Sequence, residues 1–254
     1  MRVFGMIPSR MESSRLPGKP LADLNGLPMI LHVAFRAKLA SCFDKVVVCT
    51  DSDLIAEVCL EADVEVCLTK SSHQNGAERV GEAAAHLGVE DGDIVVDIQG
   101  DEPLVIPRLL AEIVERSKKL VRDSGADIIV PHLIGTITGN RNIVKVVESN
   151  GKVYYLTRAD APFGFNGESQ LKKHLSIIPF TAIALKSFTT LPVGDLERVE
   201  GVELLRAIEG GLNVMTFAVH GESFSVDVPE DLEKARRALS FCAIAKAGYP
   251  VVKP

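Results

Sequence analysis

The chain has 254 residues, 46% of them apolar and 24% charged, with a net charge of −6. That is enough apolar material for a full core, and the acidic balance argues against a general nucleic-acid surface. The longest apolar stretch, Ile177 to Leu185, is broken by Pro179 and Thr181 and falls far short of the roughly 20 residues a membrane-spanning helix needs.

The opening residues, Met1 to Pro8, lack the long apolar run and small-residue cleavage site of a secretory signal, which predicts a cytoplasmic protein. Five cysteines without a C-x-x-C pair suggest neither a disulfide framework nor a zinc site; they read as small buried residues.

In chain order, strands are predicted at Val3 to Pro8, Lys45 to Thr50, Val64 to Leu68, Ile94 to Ile98 and Asp127 to Pro131. Between them, Met29 to Ala40, Asp53 to Ala62, Gly76 to Leu87 and Pro107 to Leu120 carry apolar residues at helical spacing. This alternation is the signature of an α/β fold with a mostly parallel sheet. Near residue 140 the rhythm changes. Asn142 to Ser149 and Lys152 to Thr157 flank Asn150-Gly151, a dipeptide that favours a hairpin turn, so an antiparallel, strand-rich insertion is expected over about 140–186. Residues 170–186 read as a strand, Val202 to Glu209 as a helix, Asn213 to Val219 as a strand and Pro229 to Leu239 as a final helix. No linker signal divides the chain, so one domain over 1–254 is predicted.

Three segments carry chemistry. The first, Pro8 to Pro20, follows the first strand and places Arg10, Arg15 and Lys19 among small residues. Ligands of open α/β sheets bind beyond the carboxyl ends of strands, so this loop reads as a triphosphate cradle, although it has no Walker pattern. The second, Asp97 to Pro103, ends the fourth strand. Asp101 is its first candidate for magnesium, which favours one or two carboxylates plus phosphate oxygens, and a capping role is the alternative. For Asp97 the alternative to a metal-holding role is a side chain pointing at a packed face, and for Glu102 it is a helix-entry residue. The third, Ser225 to Leu232, offers Asp227 either as a second carboxylate or as a cap for the helix starting at Pro229.

Together these segments closely resemble the 3-deoxy-manno-octulosonate cytidylyltransferases, or CMP-Kdo synthetases. Supporting blocks are Leu16 to Leu21, Thr50-Asp51, Asn75-Gly76 with Glu78-Arg79, Gln99 to Pro103, Val144 to Val147, Lys173 to Leu175, and Val226-Asp227 before Pro229 to Leu232. The resemblance implies a nucleotidyltransferase fold, a homodimer formed through the insertion, and Mg²⁺ as the cofactor. It implies that CMP passes from CTP to a Kdo-type sugar acid, a variant sugar acid being the alternative and a non-catalytic homologue the more distant one. Arg10, Arg15, Lys19, Asn75, Gly76, Arg79 and Gln99 would bind the nucleotide, and Asp101 and Asp227 the metal. Arg10, Lys19, Asp101 and Asp227 would form the catalytic set. Gln99, Arg158, His174 and Glu203 would meet the sugar acid.

The chain departs from the family at two positions of that sugar site. Ile178 and Leu204 stand where a tyrosine and a glutamine are usual. The expectation is a pocket that handles Kdo poorly, since hydroxyls once paired there would face hydrocarbon.

Overall fold

The computed structural model describes residues 1–13, 15–135, 139–167, 170–246 and 249. Ser14 of the predicted cradle, residues 136–138, Glu168 and Ser169 of the predicted insertion, and residues 247, 248 and 250–254 lie outside the described residues.

The first part alternates strand and helix: β1 (Val3–Ser9), a small hairpin of β2 (Asp23–Leu24) and β3 (Leu27–Pro28), α1 (Met29–Leu39), β4 (Lys45–Thr50), α2 (Asp53–Glu61), β5 (Glu65–Leu68), α3 (Gly76–His86), β6 (Ile94–Ile98) and α4 (Pro107–Ser124). Then come β7 (Ile128–Ile129), β8 (His132–Ile134), β9 (Lys145–Ser149), β10 (Lys152–Thr157), β11 (Lys172–His174) and β12 (Ile177–Thr181). The chain continues with α5 (Ala182–Thr190), α6 (Asp195–Glu200), α7 (Leu205–Glu209), β13 (Val214–Met215), β14 (Ala218–Val219), α8 (Pro229–Phe241) and α9 (Ala243–Lys246).

Strands β5, β4, β1 and β6 lie side by side and parallel, and β12 joins β6 antiparallel before the sheet runs on through β7, β13, β10, β9, β11, β8 and β14. From β1 the chain moves outward to β4 and β5, then crosses back to β6 on the other side of β1. Such a reversal opens a crevice at the carboxyl ends of the strands, which is where ligands of open α/β sheets bind.

Alternation along the strands feeds two cores. Val3 and Ile7 of β1 pack with Ile94, Val96 and Ile98 beneath α1, α2 and α4, whereas Phe4, Met6 and Val95 face α3, α5 and α7. A third, smaller core seats α8 on the β2–β3 hairpin, with Val226, Leu232 and Leu239 against Leu24 and Met29. That contact carries the segment before α8 back over the loop that follows β1.

Caps and turns explain several boundaries. Asn75 caps α3 by accepting from Glu78 N at 2.9 Å, and Pro107 and Pro229 occupy the first turns of α4 and α8. Asn150 and Gly151 have φ of 53° and 78°, as a two-residue hairpin between β9 and β10 requires.

Three predicted elements are corrected. The strand over 170–186 is two strands and a helix: β11 and β12 separate at Leu175-Ser176, and Thr181 ends β12 by capping α5, its hydroxyl accepting from Ala184 N at 3.1 Å. β12 sits between β6 and β7, inside the main sheet rather than in the antiparallel outer part. The helix over 202–209 is confined to α7, and the strand over 213–219 breaks into β13 and β14, which pair with different neighbours.

Candidate active site

The cleft at the strand ends is lined by the loop after β1, the start of α3, the end of β6 and one residue from the segment before α8. It gathers Arg10, Arg15, Lys19, Asn75, Gly76, Arg79, Gln99, Asp101 and Asp227 from positions scattered along the chain.

Lys19 is the hub. Its Nζ lies 2.7 Å from Asp101 Oδ2 and 3.6 Å from Asp227 Oδ1, and donates to Val226 O at 3.0 Å. Arg15 reaches the same Asp227 oxygen at 2.9 Å. Oxygens of both carboxylates therefore converge on one cationic atom, although the residues are far apart in sequence. The backbone holds this register, since Val226 N donates to Asp101 O at 2.9 Å. Glu102 secures it from behind: buried, it accepts from Ser223 Oγ at 2.9 Å and Ser225 Oγ at 3.2 Å. Glu102 thus bridges two chain segments and is not the helix-entry residue of the alternative reading.

The alternative roles of the two aspartates are resolved in the same way. Val228 occupies the N-cap of α8 and Ile106 that of α4, and neither helix has a side-chain cap. Asp101 and Asp227 instead direct their carboxylates at the cations of the cleft.

Arg79 behaves differently from the cradle cations. Only 3% exposed, it spends its guanidinium on Thr69 Oγ1 at 2.6 Å and Asp51 Oδ2 at 3.1 Å. It braces the ends of β4 and β5 and shapes the cleft wall.

Arg158, His174 and Glu203 are not among the residues lining this cleft. Arg158 is tied to the edge of the antiparallel region: its Nε donates to Glu200 O at 2.8 Å and its NH2 to Gly201 O at 3.2 Å. His174 Nε2 and Glu203 Oε2 are buried atoms with no hydrogen-bond partner. Burial, with Lys173 and Arg158 nearby, pushes the His174 imidazole down to about 4. Burial pushes the Glu203 carboxyl up to about 7, with Arg206 partly opposing. Glu203 reaches toward the cleft through Asp97, whose carboxyl is raised well above its usual range by burial and by the nearby Glu203.

Asp97 does point into a packed face, as its alternation with Val96 and Ile98 suggests, but it is not inert. Both its oxygens accept from Gln99 Nε2, at 3.0 and 3.1 Å. Local sequence offers no sign of this link beyond the two-residue spacing that puts both side chains on one face. Ile178 and Leu204 are only 5% and 3% exposed and pack into the core that contains Phe180 and Val202. Neither lines the cleft, a placement they share with Arg158, His174 and Glu203.

Among the described residues no group of three or more His, Cys, Asp or Glu is arranged to hold a metal. The fitting donor set is the Asp101–Asp227 pair, two hard carboxylates already focused on a cation.

A parallel sheet with a reversal beside β1, carrying a basic loop against paired carboxylates, defines an α/β protein of the nucleotidyltransferase class. The model of the cytidylyltransferase family matches residues 4–238, and the chain belongs to that family. It is 40% identical over 237 residues to the 3-deoxy-manno-octulosonate cytidylyltransferase of Syntrophobacter fumaroxidans, covering 92% of this chain and 95% of that one. The protein of the same name from Anaeromyxobacter sp. (strain K) is also 40% identical over 237 residues, covering 92% and 96%. Among solved structures, a CMP:2-keto-3-deoxy-manno-octonic acid synthetase complexed with CTP superposes with a TM-score of 0.86 at 29% identity, covering 94% of this chain and 99% of that one.

Proposed function

We propose that this chain transfers CMP from CTP to the anomeric hydroxyl of 3-deoxy-manno-octulosonate and releases pyrophosphate. The observation that supports this reading most is the meeting of Lys19, Asp101 and Asp227 at one point of a cleft that also carries Arg10 and Arg15. Relatives named for that reaction align with most of the chain.

In this reading Arg10, Arg15 and Lys19 bind the CTP phosphates. Asn75 and Gly76 place the start of α3 against the nucleotide, where backbone N–H groups suit an anion, and Arg79 and Gln99 complete the wall. Asp101 and Asp227 would hold Mg²⁺, a hard cation that takes one or two carboxylates and fills its remaining positions with phosphate and water oxygens. Bound there, the ion supplies neutralisation of phosphate charge. The anomeric hydroxyl attacks the α-phosphorus in line with the departing pyrophosphate. Positioning and charge compensation rather than a covalent intermediate lower the barrier, which suits a site without a nucleophile. Gln99, Arg158, His174 and Glu203 form the sugar-acid side, with Arg158 opposite its carboxylate.

The chain works as one domain over 1–254 in the cytoplasm. The strand-rich segment at about 140–186 supplies a homodimer contact, and its exposed Tyr154, Phe163 and Phe165 support that role.

The test is a pyrophosphate-release assay of CTP, UTP and ATP against Kdo, 8-amino-Kdo and neuraminate with magnesium present. Release is expected with CTP and Kdo. Its absence from that pair, with release from another, overturns the assignment.

A further inference from the structure

Asp97 is 1% exposed at the carboxyl end of β6. Across the sheet its register partners are Met6 in β1 and Ile178 in β12, so hydrocarbon flanks it on both sides. A buried carboxyl needs a donor, and here the donor is the carboxamide of Gln99, which meets both Asp97 oxygens. Gln99 lines the cleft and Asp97 does not.

A carboxamide has two faces of opposite character, N–H₂ and carbonyl, and binding one face inward leaves the other outward. The space around the pair is close-fitting. A Cβ at Gly76 would lie 3.1 Å from Gln99 Nε2 and 3.5 Å from Asp97 Oδ2, so the start of α3 closes over the contact and limits rotation of the amide.

We propose that Asp97 is a positioning residue for the sugar acid: it holds the N–H₂ of Gln99 inward, so that Gln99 presents its carbonyl oxygen to a substrate hydroxyl. This rests on the reading of Gln99 as a sugar-acid contact. The consequence is selectivity for a hydrogen-bond donor at that point of the ligand.

A double-mutant cycle tests the proposal, with steady-state constants for CTP and for Kdo read separately and thermal melts confirming the fold. Gln99→Leu and Asp97→Leu are each expected to raise the KM for Kdo about tenfold, and because Gln99 also lines the nucleotide wall the KM for CTP is expected to rise by a smaller factor, about threefold. Asp97→Asn keeps an acceptor oxygen in place and is expected to stay within about threefold of the wild type. The Asp97→Leu, Gln99→Leu double variant is expected to be no worse than Gln99→Leu alone, because Asp97 acts only through Gln99.

A double variant whose loss is the product of the two single losses overturns the proposal. So does an Asp97→Leu enzyme with an unchanged KM for Kdo, or an Asp97→Asn enzyme as impaired as Asp97→Leu. If Asp97→Leu alone does not fold, the double variant, which leaves no polar atom of the pair unpaired, still reports against Gln99→Leu. An unchanged KM for Kdo in Gln99→Leu is a different failure: it removes Gln99 from the sugar side and the role of Asp97 with it.

Discussion

At the basic-loop end of the cleft, opposite charges already meet: Lys19 lies between Asp101 and Asp227, and Arg15 reaches Asp227. Behind Gln99 the balance is reversed. Asp97 and Glu203 are two carboxyls raised chiefly by burial, Asp97 also by Glu203 and Glu203 also by Glu197 and Glu78, and one Glu203 oxygen has no partner. The first region is partly exposed and neutralised by its own side chains, so an incoming phosphate and cation can exchange for contacts already present. The second is desolvated and internally opposed, and a ligand that supplies hydrogen-bond donors there gains more than it would in water. Under the proposed function, one end of the site would serve exchange and the other discrimination.

The strongest test of this contrast removes the carboxylates at the exchange end. Asp101→Ala and Asp227→Ala are each expected to lower magnesium-dependent turnover by about 100-fold or more while thermal melts show an intact fold. Wild-type turnover in both folded variants would remove the metal assignment. Lys19→Ala takes away a point charge without a metal ligand, and is expected to raise the KM for CTP about tenfold with divalent binding retained, as titration with Mn²⁺ can show.

The discriminating end is probed through stability. Ile178→Tyr with Leu204→Gln places polar groups at two buried core positions, and a fall in melting temperature of about 5–10 °C is expected rather than improved use of Kdo. The smallest effect concerns pH. Glu203 has a folded value of about 7 against an ordinary 4.5, so the folded protein holds an extra proton between those values. The stability associated with that proton is fully present below about pH 4.5 and is lost as pH rises through 7. Glu203→Gln is expected to flatten this part of the stability profile, measured as melting temperature from pH 4.5 to 8. The raised Asp97 leaves a residual slope of the same sign.

Much of the parallel half was legible because β-branched runs and amphipathic helices alternate there, with Pro107 and Pro229 marking first turns. The cradle and the aspartates were legible as chemical types in suggestive places. Their convergence was given by the family resemblance and not by local spacing, since Lys19 and Asp101 meet only when the sheet reverses direction. α6 escaped notice because it buries no residue and so shows no apolar stripe. The run over 170–186 was misread because apolar residues signal burial equally in β12 and α5, and only the Thr181 cap separates them.

The hydrogen bond from Val226 N to Asp101 O joins parts of the chain that are 125 residues apart, and the paired carboxylates are held in register by it. At about 5–20 residues per second, a ribosome needs roughly 6–25 s to travel from one to the other. Throughout that interval the nascent protein has its basic loop and Asp101 but no second carboxylate. The meeting of Asp101 and Asp227 at Lys19 is therefore completed late in synthesis, when α8 settles on the β2–β3 hairpin, and a chain cut short before Val226 lacks it even if its parallel strands have formed.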